Sequence, residues 1–258
     1  MFLFPEVIEV YLRGMQMNKC IFSNYVFSCQ EFMVLSALTG LDKLNILMDE
    51  KEVKLNQKAI NLILFQLYQK GIIRWKAEEL YELNPEIRSL FLEIKESERE
   101  MQIYGKNPKS PLLCYLGKEI VITELSETDR NAIKIHEISH QNFIKELQNR
   151  GFIPWENGEI GSAMVENILQ EGRAEFLYKC LGDLGEDINS RKNQFRKILE
   201  EEEQILTVFS VYDRKKEWEQ NAIFVLDCGL KDYIMFRKNE MVQYQGYSAK
   251  SLEAILQI

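Results

Sequence analysis

Two groups of strand-like segments, each followed by a helical segment, restrict the folds open to this chain more than any other feature. The first group comprises 112–116, 119–125 and 131–138, with a helical pattern at 141–150. The second comprises 205–212, 222–227, 233–237 and 241–244, with a helical pattern at 248–257. Short connections between successive strands favour antiparallel pairing. We therefore expect an antiparallel sheet with flanking helices, and the two groups are compatible with a pseudo-repeat.

The first hundred residues follow a different pattern. Ser28 and Glu31 have the spacing of a capping box, and the apolar helical spacing after them ends at Gly40. A short helix is expected at 41–48, and Asn56 is expected to cap a longer helix that ends at Gly71. Two short strands follow, at 72–75 and 80–83, and Pro85 then opens another helix. The order of helix, helix, longer helix, hairpin and helix is that of a winged helix.

These patterns predict an α+β protein with two domains. Pro108 and Pro111 mark the boundary between them. Residues 1–107 are expected to form a winged-helix-like N-terminal unit. Residues 108–258 are expected to form an α+β domain with a largely antiparallel sheet and a closing C-terminal helix.

The charge of this N-terminal unit disfavours DNA binding. Residues 24–100 contain 10 Lys and Arg against 13 Asp and Glu, and the whole chain has a net charge of −8. The helix that would read DNA offers only Lys58 and Lys70, and its middle is mostly apolar. Duplex binding requires basic side chains that neutralise phosphates. We expect a unit used for packing or protein contact, with a winged-helix DNA-binding regulator as a third functional hypothesis.

From its composition we expect a folded cytoplasmic protein. The chain is 46% hydrophobic, which is enough to form a core, and it lacks a basic leader or an apolar run long enough to span a membrane. Its five cysteines are scattered and form no Cys-x-x-Cys pair, so we expect them to act as small apolar residues in a reducing compartment. The cysteines are Cys20, Cys29, Cys114, Cys180 and Cys228.

One motif suggests metal chemistry. The segment His136-Glu-Ile-Ser-His140 matches His-Glu-x-x-His and contains both histidines of the chain. On a helix, two such histidines share a face and can bind zinc, while the glutamate acts as general base on zinc-bound water. The stretch resembles the metallo-aminopeptidase pattern, in which Glu159 would be the third ligand. The alternative function is thus a zinc-dependent hydrolase or peptidase with ligands His136, His140 and Glu159, base Glu137, and substitute third ligands Glu166, Glu171 and Glu175.

The local residue pattern argues against a zinc-binding helix at this motif. Residues 132–139 alternate like a strand, with Ile133 and Ile135 on one face, and Ser139 is suited to cap the following helix. Glu159 lies in a turn-rich stretch and is not preceded by the Asn that normally accompanies this ligand. We expect no catalytic residue, no metal and no other cofactor, with zinc as the alternative. A helix over 133–140 would favour the zinc hypothesis, and a strand that ends at Ser139 would exclude it.

The order of elements resembles the EspG-like and EsaE-like accessory proteins of type VII secretion systems. The likeness is carried by residues 25–35, where an aromatic residue precedes a capped helix. It is also carried by 131–154, a strand then a helix that ends near Pro154, and by 232–256, a strand pair then a terminal helix. The resemblance implies an EspG-like fold, places His136 and Glu137 on a strand, and carries over no catalytic residue.

The resemblance also implies a function. Its members are cytoplasmic chaperones that hold secretion substrates. We therefore expect a non-enzymatic chaperone or adaptor that binds a secreted protein partner of a type VII secretion system, through apolar surface on a sheet edge or a helical subdomain.

Overall fold

The computed structural model describes residues 24–41, 55–76, 80–106, 111–126, 129, 131–155, 188–214, 220–227, 232–238 and 241–258. Within these ranges the chain forms six helices and eleven strands. It is a mixed α+β protein with a large antiparallel sheet. None of the described helices is both long enough and apolar enough to cross a membrane.

The N-terminal elements begin where capping residues predict them. Ser28 Oγ accepts a hydrogen bond from the Glu31 backbone N–H, and the Glu31 carboxylate accepts one from the Ser28 N–H, so the predicted capping box is confirmed. Asn56 and Asn84 cap the two following helices through their side-chain oxygens. The elements are β1 (Tyr25–Ser28), α1 (Cys29–Leu38), α2 (Gln57–Gln69), β2 (Ile73–Lys76), β3 (Leu80–Leu83) and α3 (Pro85–Glu96).

Glycines end three helical segments where the sequence predicts them to end. Gly40, Gly71 and Gly151 have φ values of 67°, 68° and 74°. In this left-handed region a Cβ is strained, which is why glycine is common just after a helix.

The remaining elements form the sheet and the helices that cover it. They are β4 (Arg99–Gly105), β5 (Leu112–Leu116), β6 (Ile120–Leu125), β7 (Ala132–Ile138), α4 (His140–Asn149), α5 (Ile188–Glu201), β8 (Ile205–Asp213), β9 (Gln220–Asp227), β10 (Asp232–Lys238), β11 (Met241–Gly246) and α6 (Ala249–Leu256).

The large sheet has nine strands in the order β1-β7-β6-β5-β4-β8-β9-β10-β11. Strands β4 to β7 form one antiparallel meander followed by α4, and β8 to β11 form a second meander followed by α6. The two meanders meet where β4 pairs antiparallel with β8, with Gln102 opposite Ser210. The two sets of strands predicted from the sequence are therefore adjacent halves of one sheet.

Helices cover both faces of this sheet. On the first face, α4 and α6 pack over both meanders, with Phe143, Leu147 and Leu252 buried against the strands. On the second face, α1, α2 and α3 pack over β5, β6 and β7, while α5 packs over β8, β9 and β10. Each strand between the edges therefore buries side chains on both faces.

The two cysteines within the described ranges are buried, as expected for cysteines that act as small apolar residues. Cys29 and Cys114 are free and buried. Burial raises the pKa of the Cys29 thiol to about 11 and raises that of Cys114 further. Cys20, Cys180 and Cys228 lie outside the described residues.

The predicted strands and helices within the described ranges are confirmed, with ends that differ by one or two residues. Two strands, β1 and β4, were not predicted. In β4 the buried polar residues Glu100 and Gln102 interrupt the apolar pattern. The helix predicted at 41–48 lies outside the described residues except for Leu41.

The large sheet extends across the predicted domain boundary. Strands β1 and β4 fall within residues 1–107, yet both belong to the nine-stranded sheet. The division into domains 1–107 and 108–258 stays a prediction.

Candidate functional site

The His-Glu segment lies across the end of a strand and the start of a helix. Strand β7 ends at Ile138, Ser139 is the N-cap, and α4 begins at His140. The helix that the zinc hypothesis requires at this position is absent because β7 pairs with β6 as far as Ile138. The expectation of a strand before Ser139 is confirmed, although the Ser139 side chain makes no capping hydrogen bond.

The strand places His136 and Glu137 on opposite faces of the sheet, because successive strand residues alternate. His136 lies on the first face, where its Nε2 is 3.3 Å from an Arg150 nitrogen. The pKa of Glu137 is raised by burial and then by Glu93 of α3 and by Glu119. Glu137 therefore faces the α3 side and is not placed to act as general base on a metal held by His136.

The second histidine makes a separate contact. His140 Nε2 lies 3.0 Å from the carbonyl oxygen of Gly117, in the turn between β5 and β6. Within the described ranges, no three His, Cys, Asp or Glu residues are grouped so that they could hold a metal ion. The proposed third ligands Glu159, Glu166, Glu171 and Glu175 lie outside those ranges.

His136 belongs to a charged network centred on Arg150. The guanidinium donates to Glu146 at 2.6 Å and to Glu124 at 2.8 Å, and its third nitrogen faces His136. Arginine has no acceptor, so His136 Nε2 must accept, and the imidazole is neutral with its proton on Nδ1. Burial and then Arg150 lower the pKa of His136 from its usual range.

This lowered pKa predicts a loss of stability in mild acid. The fold favours the neutral imidazole, so its contribution is complete above the unfolded pKa of about 6.5 and is lost as pH falls toward the lowered pKa. His136→Gln is expected to reduce the fall in the free energy of unfolding between pH 7.5 and 5.5. Urea unfolding across this range measures the effect, with Asn142→Ala as the control from the same surface. Equal slopes in His136→Gln and wild type would contradict the neutral assignment.

The pocket beside this network has a volume of about 530 Å³. Most of its described lining residues are of polar types, among them Asn142, Lys145 and Asn149 of α4. Arg150, the cation nearest His136, already binds two carboxylates. The network therefore accounts for the packing of α4 against the sheet better than for recognition of a charged ligand.

A second opening, of about 760 Å³, lies between α2 and the β2–β3 hairpin. We call it the aromatic groove. Its α2 side is formed by residues at helical spacing, and its hairpin side by two aromatic residues. The described lining residues are Gln57, Asn61, Leu64, Phe65, Tyr68, Trp75 and Tyr81.

Large apolar side chains are exposed along this groove and beside it. Phe65 and Trp75 are 56% and 59% exposed, and Leu62 and Tyr68 are similarly open. A helix at a protein surface usually has one apolar stripe, which faces the core. Helix α2 buries Ile63 and Leu67 and also presents apolar residues outward. Clustered exposed apolar surface of this kind marks interaction sites.

The hairpin holds two of the aromatic rings in a fixed pair. Trp75 and Tyr81 are directly opposite each other on β2 and β3, and their rings meet edge to face with centroids 5.1 Å apart. The next pair on the same face joins buried Ile73 to Leu83 and anchors the hairpin to the core. The groove wall is therefore ordered by strand pairing and by ring contact.

The exposed side of α2 carries one lysine, Lys58, and otherwise combines apolar residues with neutral polar ones such as Asn61 and Gln66. Lys70, at its C-terminal end, binds the buried Glu31 carboxylate at 2.6 Å and so links α2 to α1. Lys58, near the N-terminal end, is the other lysine predicted on this helix. None of the described lining residues of the groove is charged.

The sequence interpretation missed this groove as a site, although a signal for it was present. Seven of the nine residues in 60–68 are apolar or aromatic, more than a single buried stripe requires. The excess apolar residues, Leu62, Phe65 and Tyr68, are those that the structure leaves exposed.

Comparison with known proteins found no family model that matches this chain and no similar curated protein.

Proposed function

We propose that this protein is a non-enzymatic chaperone or adaptor that holds a protein partner in the aromatic groove. The observation that carries the proposal is the exposed aromatic lining between α2 and the hairpin, in which none of the described residues is charged. Trp and Tyr are enriched among the residues that dominate binding energy at protein interfaces. Covering the exposed half of each large side chain would contribute about 1 kcal/mol before the costs of association.

The same surface disfavours the alternative of DNA recognition. In a winged-helix-like unit, α2 would be the recognition helix and the β2–β3 hairpin would be the wing. Phosphate binding requires basic side chains, whereas this surface presents Leu62, Phe65 and Tyr68, and Lys70 already binds Glu31. A protein partner is the better chemical match.

The class of partner comes from the resemblance to EspG-like and EsaE-like proteins. On that basis the partner is a protein exported by a type VII secretion system, and the complex forms in the cytoplasm. A chaperone of this kind would cover apolar surface of its partner until export. The sheet and its covering helices would then serve as the scaffold that orients the groove.

The proposal is tested by capture of a partner from the native host. A tagged Phe65→Asp/Trp75→Asp protein is expected to lose, by at least tenfold, a stoichiometric exported protein that the wild type retains, because both substitutions place charge in the groove. Met241→Asp is the matched control, since Met241 on β11 is 64% exposed. Capture is quantified by mass spectrometry with secreted and retained host proteins as reference.

Two results would remove the proposal. One is the absence of any exported protein bound at stoichiometric level to the wild type. The other is equal capture by the double variant and by the Met241→Asp control, with both proteins folded by circular dichroism.

A further inference from the structure

The chemistry of the aromatic groove restricts what its occupant can be. The chain is 28% charged, yet none of the described lining residues carries a charge. A charged group directed into the groove would lose hydration without gaining a counter-charge. An uncharged segment therefore suits the described lining better than a charged one.

The lining also offers hydrogen-bond donors that the described part of the protein does not use. The hydroxyls of Tyr68 and Tyr81 and the indole N–H of Trp75 make no hydrogen bond within the described ranges. Gln57 Nε2 donates to Asn61 Oδ1 at 3.1 Å, which leaves the Asn61 amide N–H available. Flat apolar rings whose edges carry donors suit a partner with apolar side chains and accessible carbonyl oxygens.

This combination separates three possible backbone conformations of the occupant. A helix uses its carbonyl oxygens internally, so its backbone offers these donors few acceptors. An added β-strand pairs with the open edge of a sheet, whereas the groove lies between the side of α2 and the face of the hairpin that carries Trp75 and Tyr81. A polyproline II segment has no internal hydrogen bonds, exposes its carbonyls and is recognised by aromatic-lined grooves.

We propose that the aromatic groove binds a proline-rich segment in the polyproline II conformation. The inference rests on the proposed function, because it specifies which part of the protein partner enters the groove. Proline rings lie between the aromatic side chains of Tyr68, Trp75 and Tyr81, and the hydroxyl, indole and amide donors bind the carbonyl oxygens of the segment.

The α2 residues that line the groove indicate the length of the bound proline-rich segment. From Gln57 to Tyr68, α2 extends about 16 Å at 1.5 Å per residue. A polyproline II helix rises about 3.1 Å per residue, so about five residues cover this distance. Such a segment is stiff before it binds, which lowers the entropy lost on binding.

The test is calorimetric titration of the full-length protein with an end-blocked peptide of ten prolines. An end-blocked Gly-Ser peptide of equal length and an amphipathic helical peptide are the comparison probes. The proline peptide is expected to bind saturably and at least tenfold more tightly than either. Trp75→Ala is expected to weaken it about thirtyfold, the loss typical of an aromatic hot spot. Tyr68→Phe/Tyr81→Phe removes only the two hydroxyls and is expected to weaken binding severalfold, while Met241→Ala leaves it unchanged.

The inference is overturned if the proline peptide does not saturate the protein, if either comparison peptide binds as tightly, or if Trp75→Ala has no effect. Its failure can be told apart from that of the proposed function. Groove-dependent capture of an exported protein that the proline peptide does not displace would retain the chaperone and reject this occupant. Loss of that capture, with the proline peptide still bound, would reject the chaperone alone.

Discussion

Phe91→Ala is expected to lower the free energy of unfolding by about 3–5 kcal/mol. Phe91 is fully buried on α3, and its ring contacts Phe32 of α1 and Phe27 of β1 with centroid distances of 5.3 and 6.4 Å. Its removal leaves a cavity bordered by two helices and an edge strand, which cannot close without moving one of them. Urea unfolding followed by far-ultraviolet circular dichroism measures the loss.

The matched control for this prediction is Phe65→Ala, the same substitution at an exposed position in the aromatic groove. It is expected to change the free energy of unfolding by less than about 0.5 kcal/mol. A loss below about 1 kcal/mol for Phe91→Ala would contradict the central position of its ring between α1, α3 and β1.

Arg150→Met is expected to lower the free energy of unfolding by about 2–3 kcal/mol. The substitution leaves Glu124 and Glu146 without their cation and leaves His136 without its donor. Breaking a fully buried ion pair costs about 3–5 kcal/mol. We expect a smaller loss here because the Arg150 side chain is 25% exposed, so that water screens the pair. Chemical unfolding at pH 7.5 and low salt is the measurement.

A double variant tests whether that loss arises from the unpaired carboxylate. Glu124→Gln removes the negative charge but keeps the shape of the side chain. In the presence of Arg150→Met it is expected to restore about 1 kcal/mol or more of the free energy of unfolding. The reason is that the Arg150 guanidinium and the Glu124 carboxylate form a direct ion pair. Additive losses in the double variant would show that Arg150 stabilises α4 by packing and not by charge.

The order of elements was predictable wherever a regular pattern extends over several residues. Between residues 205 and 238 the strands are apolar runs bounded by polar segments, and Ser28, Asn56 and Asn84 identify the starts of three helices. Strand β4 was missed because its buried positions include polar residues. Strand β1 was missed because it has only four residues, the last of which is the helix cap Ser28, and so contains too little alternation to define a strand.

The candidate site was less predictable than the fold. The one recognisable motif does not form the site that it suggests, and the groove that could form a site has no motif. The segment from His136 to His140 matches a catalytic pattern letter by letter, but pairing with β6 makes its first part a strand. The aromatic groove has no such motif. Its residues come from α2 and from two strands, and only the packing of Ile63 and Leu67 decides which apolar residues of α2 stay outside.

The β4–β8 pair in the middle of the sheet has a consequence for how the chain folds. It joins residues about a hundred positions apart, so its formation must close a long loop, whereas each meander can form from neighbouring hairpins. Arg99 at the start of β4 also donates to the carbonyl oxygens of Leu256 and Gln257, so the C-terminal end of α6 packs there. During synthesis the first meander is made before the second. The β4 edge of the first meander is therefore unpaired until β8 has been made. Misassembly with another chain is most favoured during this interval.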